Sequence, residues 1–212
     1  MQRIGVTYVF DAYCGWCYGF TPALRGFADA NTDRISLRVL SGGLFTAARV
    51  RPIGAYPELV ADDPRIAELT GAAFGAGYAA AVAAGTTVLD SGDAATGVCA
   101  LRRQPDLAVL DIVQAVQRAW FVDGRSLSDP HVWRDIAAEL GADPDAVSAA
   151  LRDPGIRAQA SGEFQQVRVL GVRHFPSVLL HDRTGVHRLG GALSTSESLT
   201  EALRRYPGMA AA

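Results

Sequence analysis

Apolar and polar positions along the chain change period twice. Ile4–Phe10 alternates as a half-buried strand does, and Ile35–Ser41 repeats the pattern with Ile35, Leu37 and Val39 on one face. Between them, from about Cys14 to Ala30, the spacing is helical. Near the other end, Ser177–His181 and Val186–Leu189 flank Asp182-Arg183-Thr184-Gly185, a turn-like cluster that predicts a β-hairpin. A last helix is expected from about Thr195 to Tyr206, with Ser194 and Glu197 as its capping box.

The middle of the chain reads as helical throughout. Asp63-Pro64, Asp129-Pro130, Asp143-Pro144 and Asp153-Pro154 each place a capping carboxylate before a proline in the first turn, where the missing N–H costs nothing. Leu107, Leu110, Val113, Val116 and Trp120 recur at a helical period and predict one buried stripe. Leu69 to Leu89 carries no charge. Its Ala, Gly and Thr content is too weakly apolar for a membrane span, so a closely packed soluble helix is expected there. Pro22 falls inside the first helix, where a kink is expected.

The chemistry sits where the first strand turns into the first helix, at Tyr13-Cys14-Gly15-Trp16-Cys17-Tyr18. Two cysteines two residues apart at a strand-to-helix turn are the signature of a thioredoxin-like redox centre. One helical turn brings both sulfurs within disulfide reach and leaves the first at the helix end. There the free backbone N–H groups and the positive pole of the helix favour a thiolate. Cys14 is therefore the candidate nucleophile and Cys17 the resolving thiol.

The alternatives for this pair are weaker. A zinc site needs a second pair or histidines at ligand spacing, and only Cys99 and four unspaced histidines remain, so no metal is expected. A purely structural disulfide would be reduced in a cytoplasmic setting. That setting is expected because Met1-Gln2-Arg3 runs straight into the first strand with no signal-like segment. With 212 residues, 49% hydrophobic and 20% charged, the chain has length for a full core. A net charge of −2 argues against nucleic-acid or membrane partners. All 20 cationic side chains are arginine, which fits codon bias in a GC-rich bacterial genome.

A second half of the site is expected at Gly171-Val172-Arg173-His174-Phe175-Pro176-Ser177. A proline just before a short buried strand is where a cis-proline could face the cysteines, and sequence leaves the isomer open. Lesser roles follow. Trp16 either forms an apolar lip or packs over the sheet. Asp11 is expected to cap the following turn or face solvent, because a nearby carboxylate would oppose a thiolate. His174 is expected to be structural and partly exposed. Cys99 is expected to be an inert core residue, and Gly42-Gly43 and Gly190-Gly191 to permit tight turns.

With these residues in view, the chain resembles the DsbA-like branch of the thioredoxin superfamily, and in particular the FrnE-like group of protein-disulfide isomerases. Asp11 through Gly19 is similar to that group's active-site segment, and Ser41-Gly42-Gly43-Leu44-Phe45 to its glycine loop. Asp63-Pro64-Arg65-Ile66, Phe74-Gly75, Gln117 through Phe121 and Gly171 through Ser177 resemble its later landmarks. The resemblance implies Cys14 as attacking thiol, Cys17 as resolving thiol and a cis Pro176. Gly15-Trp16 and His174-Phe175 depart from better-known members, which bears on redox potential and substrate preference.

The resulting expectation is an α/β, thioredoxin-like fold with an inserted all-helical subdomain. Residues 1–62 and 152–212 would form the discontinuous thioredoxin-like domain and 63–151 the insertion. The expected activity is thiol–disulfide exchange or protein-disulfide isomerisation. Gly15, Trp16, Phe175 and Pro176 would contact substrate, with no cofactor. Substrates would be protein or small-thiol disulfides, glutathione among them. Two rivals stand beside it: a glutathione-dependent kappa-type transferase or isomerase, and a redox-sensing binding module without turnover. The former group generally has a serine or another single nucleophile where Cys14 stands, so the retained pair favours redox chemistry.

Overall fold

In a computed structural model, which describes residues 3–206, the chain forms a central four-stranded sheet wrapped by helices. Strand β1 (Ile4–Phe10) leads through helix α1 (Gly15–Ala30) to strand β2 (Ile35–Ser41), which lies parallel to β1. After a two-residue strand β3 (Arg51–Pro52) come helices α2 (Pro57–Ala61), α3 (Asp63–Thr70) and α4 (Ala76–Ala84). Strand β4 (Val88–Leu89) pairs back onto β3. Helices α5 (Ser91–Leu101), α6 (Val109–Phe121), α7 (Pro130–Glu139), α8 (Pro144–Leu151) and α9 (Pro154–Val169) follow. The hairpin β5 (Ser177–Asp182) and β6 (Gly185–Gly191) then completes the sheet in the order β2-β1-β5-β6, and α10 (Ser196–Arg204) ends it.

Strand β1 is central, so both of its faces are covered. Val6, Tyr8 and Phe10 join Val178 and Leu180 in the larger core, on the same face as the α1 residues Phe20, Leu24 and Phe27. Val9, one position out of phase, meets Leu40 and Leu179 beneath Val167 of α9. The period of two along a strand divides these sets. On α1 the buried residues Cys17, Phe20, Leu24 and Phe27 form a single stripe. Burial of each large apolar side chain stabilises the fold by about 1.5–3 kcal/mol.

Several local expectations change in detail. Asp129, Asp143 and Asp153 each cap a helix, accepting N–H bonds from His131, Asp145 and Gly155 at 2.8 Å. Asp63 does not. It is the first residue of α3, and its carboxylate accepts a hydrogen bond from the Tyr78 hydroxyl of α4 instead. The uncharged stretch Leu69 to Leu89 is no single packed helix: glycines with positive φ end α3 at Gly71 and the short, largely exposed α4 at Gly85. At α10 the capping box is Thr195 with Ser198, one residue beyond the expected pair. The β3–β4 ribbon was not expected, since two-residue strands leave no periodicity to read. No helix among the described residues is long and apolar enough to cross a membrane.

Candidate active site

Cys14 is the N-cap of α1, with extended backbone angles (φ −87°, ψ 110°). Its carbonyl accepts the first helical bonds, from Cys17 N–H at 3.0 Å and Tyr18 N–H at 3.1 Å. Its side chain makes no capping bond to the first turn. The Cys14 thiol donates instead to the backbone carbonyl of Phe175 at 3.7 Å. The Phe175–Pro176 peptide bond is cis. The two segments expected to form the site thus meet.

Cys14 retains 8% exposure and Cys17 none. All three cysteines are free thiols. Burial raises the Cys17 thiol well above its ordinary range, and the adjacent Cys14 sulfur adds to the effect. Cys17 therefore keeps its proton and is closed to solvent, while Cys14 keeps a small opening to it. The Cys17 carbonyl accepts from Thr21 Oγ1 at 2.9 Å, and the same hydroxyl bonds the buried Gln117 side chain of α6 at 2.7 Å. That link ties the active-site turn to the inserted helices.

The approach of Phe175 requires the glycine loop. A Cβ on Gly42 would stand 2.3 Å from the Phe175 ring, and Gly43 has φ +76°. The loop is fixed on two sides. Leu44 N–H donates to Asp11 Oδ2 at 2.8 Å, and Phe45 exchanges bonds with Ser91 at the start of α5. Asp11 also accepts the Tyr13 N–H at 3.1 Å, so it caps the turn before the cysteines as expected. It is buried rather than solvated. Burial raises its carboxyl, against the lowering effect of the N–H bonds from Leu44 and Tyr13.

Gly15 and Trp16 face the helical insertion rather than the sheet. A Cβ on Gly15 would come within 2.8 Å of Ile66. The Trp16 indole N–H donates to Asp62 at 3.4 Å, and Arg65 lies 5.9 Å from the indole ring. Trp16 is half-buried, neither a free lip nor a sheet cover. His174 is exposed. Cys99 is buried but not apolar in its contacts. Arg102 donates to its sulfur at 3.0 Å and pairs with Glu163 of α9, which also accepts the Ser41 N–H at 2.9 Å. Burial, helped by Glu163 and opposed by Arg102, pushes the Cys99 thiol up to about 11. Gln117 stood in the sequence only as part of a segment resembling the family, without a partner, and the Glu163–Arg102 network was not singled out, since each depends on helices far apart in the chain. No cluster of three or more potential metal ligands occurs among the described residues.

Several solved structures share this fold. A candidate protein disulfide isomerase from Nitrosomonas europaea superposes with a TM-score of 0.82 at 18% identity, covering 95% of this chain and 96% of that one. The cytosolic disulfide reductase DsbM from Pseudomonas aeruginosa gives 0.80 at 28% identity, over 94% and 97%. The same reductase solved with GSH gives 0.78 at 29%, over 94% and 97%. No match was found among curated proteins. The model of the DSBA-like thioredoxin domain matches residues 5–201. With that match spanning nearly the whole chain, the protein belongs to the DSBA-like thioredoxin domain family of thiol–disulfide oxidoreductases.

Proposed function

We propose that the protein reduces or reshuffles disulfides in the cytoplasm, with Cys14 as attacking thiol and Cys17 as resolving thiol. The observation that carries this reading is the pairing of Cys14, at the helix N-cap position with 8% of its surface in solvent, with a fully buried Cys17 one turn on. The similarity to a cytosolic disulfide reductase supports the compartment and the direction.

The Cys14 thiolate attacks one sulfur of a substrate disulfide. The substrate S–S bond breaks, one half leaves as a thiolate that is protonated by solvent, and the other half remains on Cys14 as a mixed disulfide. Cys17, protonated until then by its burial, loses its proton and attacks Cys14 Sγ. The second half departs, the enzyme is left with a Cys14–Cys17 disulfide, and two electrons have passed to substrate. A thiol donor then restores the dithiol. Glutathione is our candidate for it, on the similarity to a reductase solved with GSH. Gly15 and Trp16 share a cavity wall with Cys14, and the Phe175 carbonyl lies against its sulfur, so that with Pro176 next in the chain the Phe175 backbone suits an extended substrate laid alongside.

Trapping tests the assignment. Cys17→Ser should accumulate a mixed disulfide on Cys14 with substrate, and Cys14→Ser should accumulate none. Catalysed insulin reduction by dithiothreitol should show steady turnover in the native protein. Stoichiometric oxidation without turnover would replace this reading with that of a redox sensor.

A further inference from the structure

A cavity of about 160 Å³ opens beside Cys14, and neither Phe175 nor Pro176 lines it. Its walls include Tyr13, Cys14 and Trp16, with Asp63 and Ile66 of α3 and Trp120 of α6. Most of this surface is apolar, which suits a methylene chain. The size is close to that of a cavity known to hold a benzene-sized guest, about 150 Å³.

The charge on the wall is one-sided. Asp63 is half-buried, and its Oδ2 accepts from the Tyr78 hydroxyl at 3.0 Å. Its Oδ1 points to the residue after the nucleophile: a Cβ on Gly15 would lie 3.6 Å from it. No arginine or histidine among the described residues forms an ion pair with Asp63. Asp62 stands next to it and holds the Trp16 indole, while Arg65 lies against Trp16 and is exposed. Tyr13, another wall residue, carries a buried hydroxyl without a hydrogen-bond partner. The Asp90 backbone amide approaches it outside hydrogen-bond geometry. An unmatched carboxylate beside a nucleophilic sulfur favours a cation and repels an anion.

We propose that this cavity receives one half of a small disulfide bearing an ammonium group, with the ammonium on Asp63 and the sulfur at Cys14. The inference rests on the thiol–disulfide reading above and adds the substrate class, short aminothiol disulfides. The other half extends along the Phe175 side. Cys14 attacks the nearer sulfur, the S–S bond breaks, and the departing aminothiolate takes a proton from solvent. Cys17 then displaces the second aminothiol, and an added dithiol such as dithiothreitol returns the two electrons.

Single-turnover oxidation of the pre-reduced full chain near neutral pH tests this with three probes: cystamine, bis(2-hydroxyethyl) disulfide and dithiodiglycolate. Each rate is divided by that of dithiothreitol with the same disulfide, which removes intrinsic reactivity. Cystamine should exceed dithiodiglycolate by about tenfold or more, with the neutral disulfide between them. Asp63→Asn should reduce that preference by about fivefold or more, and Asp63→Ser serves if the asparagine variant does not fold. Equal normalised rates in the native protein, or a preference that survives loss of the Asp63 charge, would overturn the proposal. Failure of all three probes to oxidise the dithiol would instead overturn the redox reading on which it rests.

Discussion

Cys14 Sγ and the Phe175 carbonyl oxygen lie 3.7 Å apart across 161 residues of sequence. The contact joins the start of α1 to the loop before β5 and leaves Cys14 the only cysteine with a measurable share of its surface in solvent, at 8%. Iodoacetamide should therefore alkylate Cys14 well before Cys17 or Cys99 in the reduced native protein, as read by peptide mass spectrometry. Modification of Cys99 first would place the reactive thiol elsewhere.

The same contact depends on Gly42. A methyl group there would occupy the Phe175 ring position at 2.3 Å, so the ring must move and take its backbone with it. Gly42→Ala should cost about 1–3 kcal/mol in urea unfolding, the usual penalty of overpacking. Turnover in the insulin assay should fall by more than this loss of folded protein accounts for. A variant with native turnover would separate the Phe175 position from function.

Glu163 of α9 ties together three elements, through Arg102 at the C-cap of α5 and the end of β2 at Ser41. Its side chain is 5% exposed and that of Arg102 19%. Removing one partner leaves the other charge enclosed, which costs about 3–5 kcal/mol. Glu163→Ala should show that loss in denaturant unfolding. Cys99→Ala should cost less, because it leaves the ion pair intact.

The sequence carried the strands, the redox turn and the proline segment because each is local in its signal. Alternation over Ile4–Phe10 and the spacing of Cys14 and Cys17 need no knowledge of the rest of the chain. Glu163 reads as an ordinary polar position on a helix and Gln117 only as part of a segment resembling the family, and only packing of α6 and α9 against distant segments gives them partners. Asp63 was legible as a helix start but not as a wall of the site. Its role depends on Tyr78 from the next helix, which outcompetes the local cap. The Leu69 to Leu89 reading failed because alanine and glycine suit both helix and loop. The turns at Gly71 and Gly85 decided it.

Burial raises the Asp63 carboxyl to about 6, with Asp62 adding to the effect and the Tyr78 hydroxyl opposing it. A carboxyl raised by folding binds its proton more readily in the folded than in the unfolded state. Its favourable contribution is complete below the unfolded value near 3.8 and is lost as pH rises through about 6. Asp63→Asn should therefore gain in stability relative to the native chain between those limits. The difference between the two should level off above them. Urea midpoints measured across that range check the sign, and a relative gain on acidification would refute it.

Redox poise follows from what stands between the cysteines. Gly15 and Trp16 supply no imidazolium, so the Cys14 thiolate has the helix N-terminus but no charged neighbour in the motif. Asp11 lies nearby as a buried acid, and Asp62 and Asp63 add negative charge on the insertion side. A less stabilised thiolate disfavours the reduced form and makes the reduction potential more negative. The expected value is about −200 to −270 mV, between protein disulfide isomerase and thioredoxin on the negative side of the former. That range suits reduction or reshuffling against a cytosolic thiol pool better than net disulfide formation. Equilibration with defined glutathione buffers, read by alkylation, measures it directly. Placing a histidine at Trp16 should shift the potential towards that of the strong oxidants, near about −120 mV. A native value already near there would overturn the argument from the missing imidazolium.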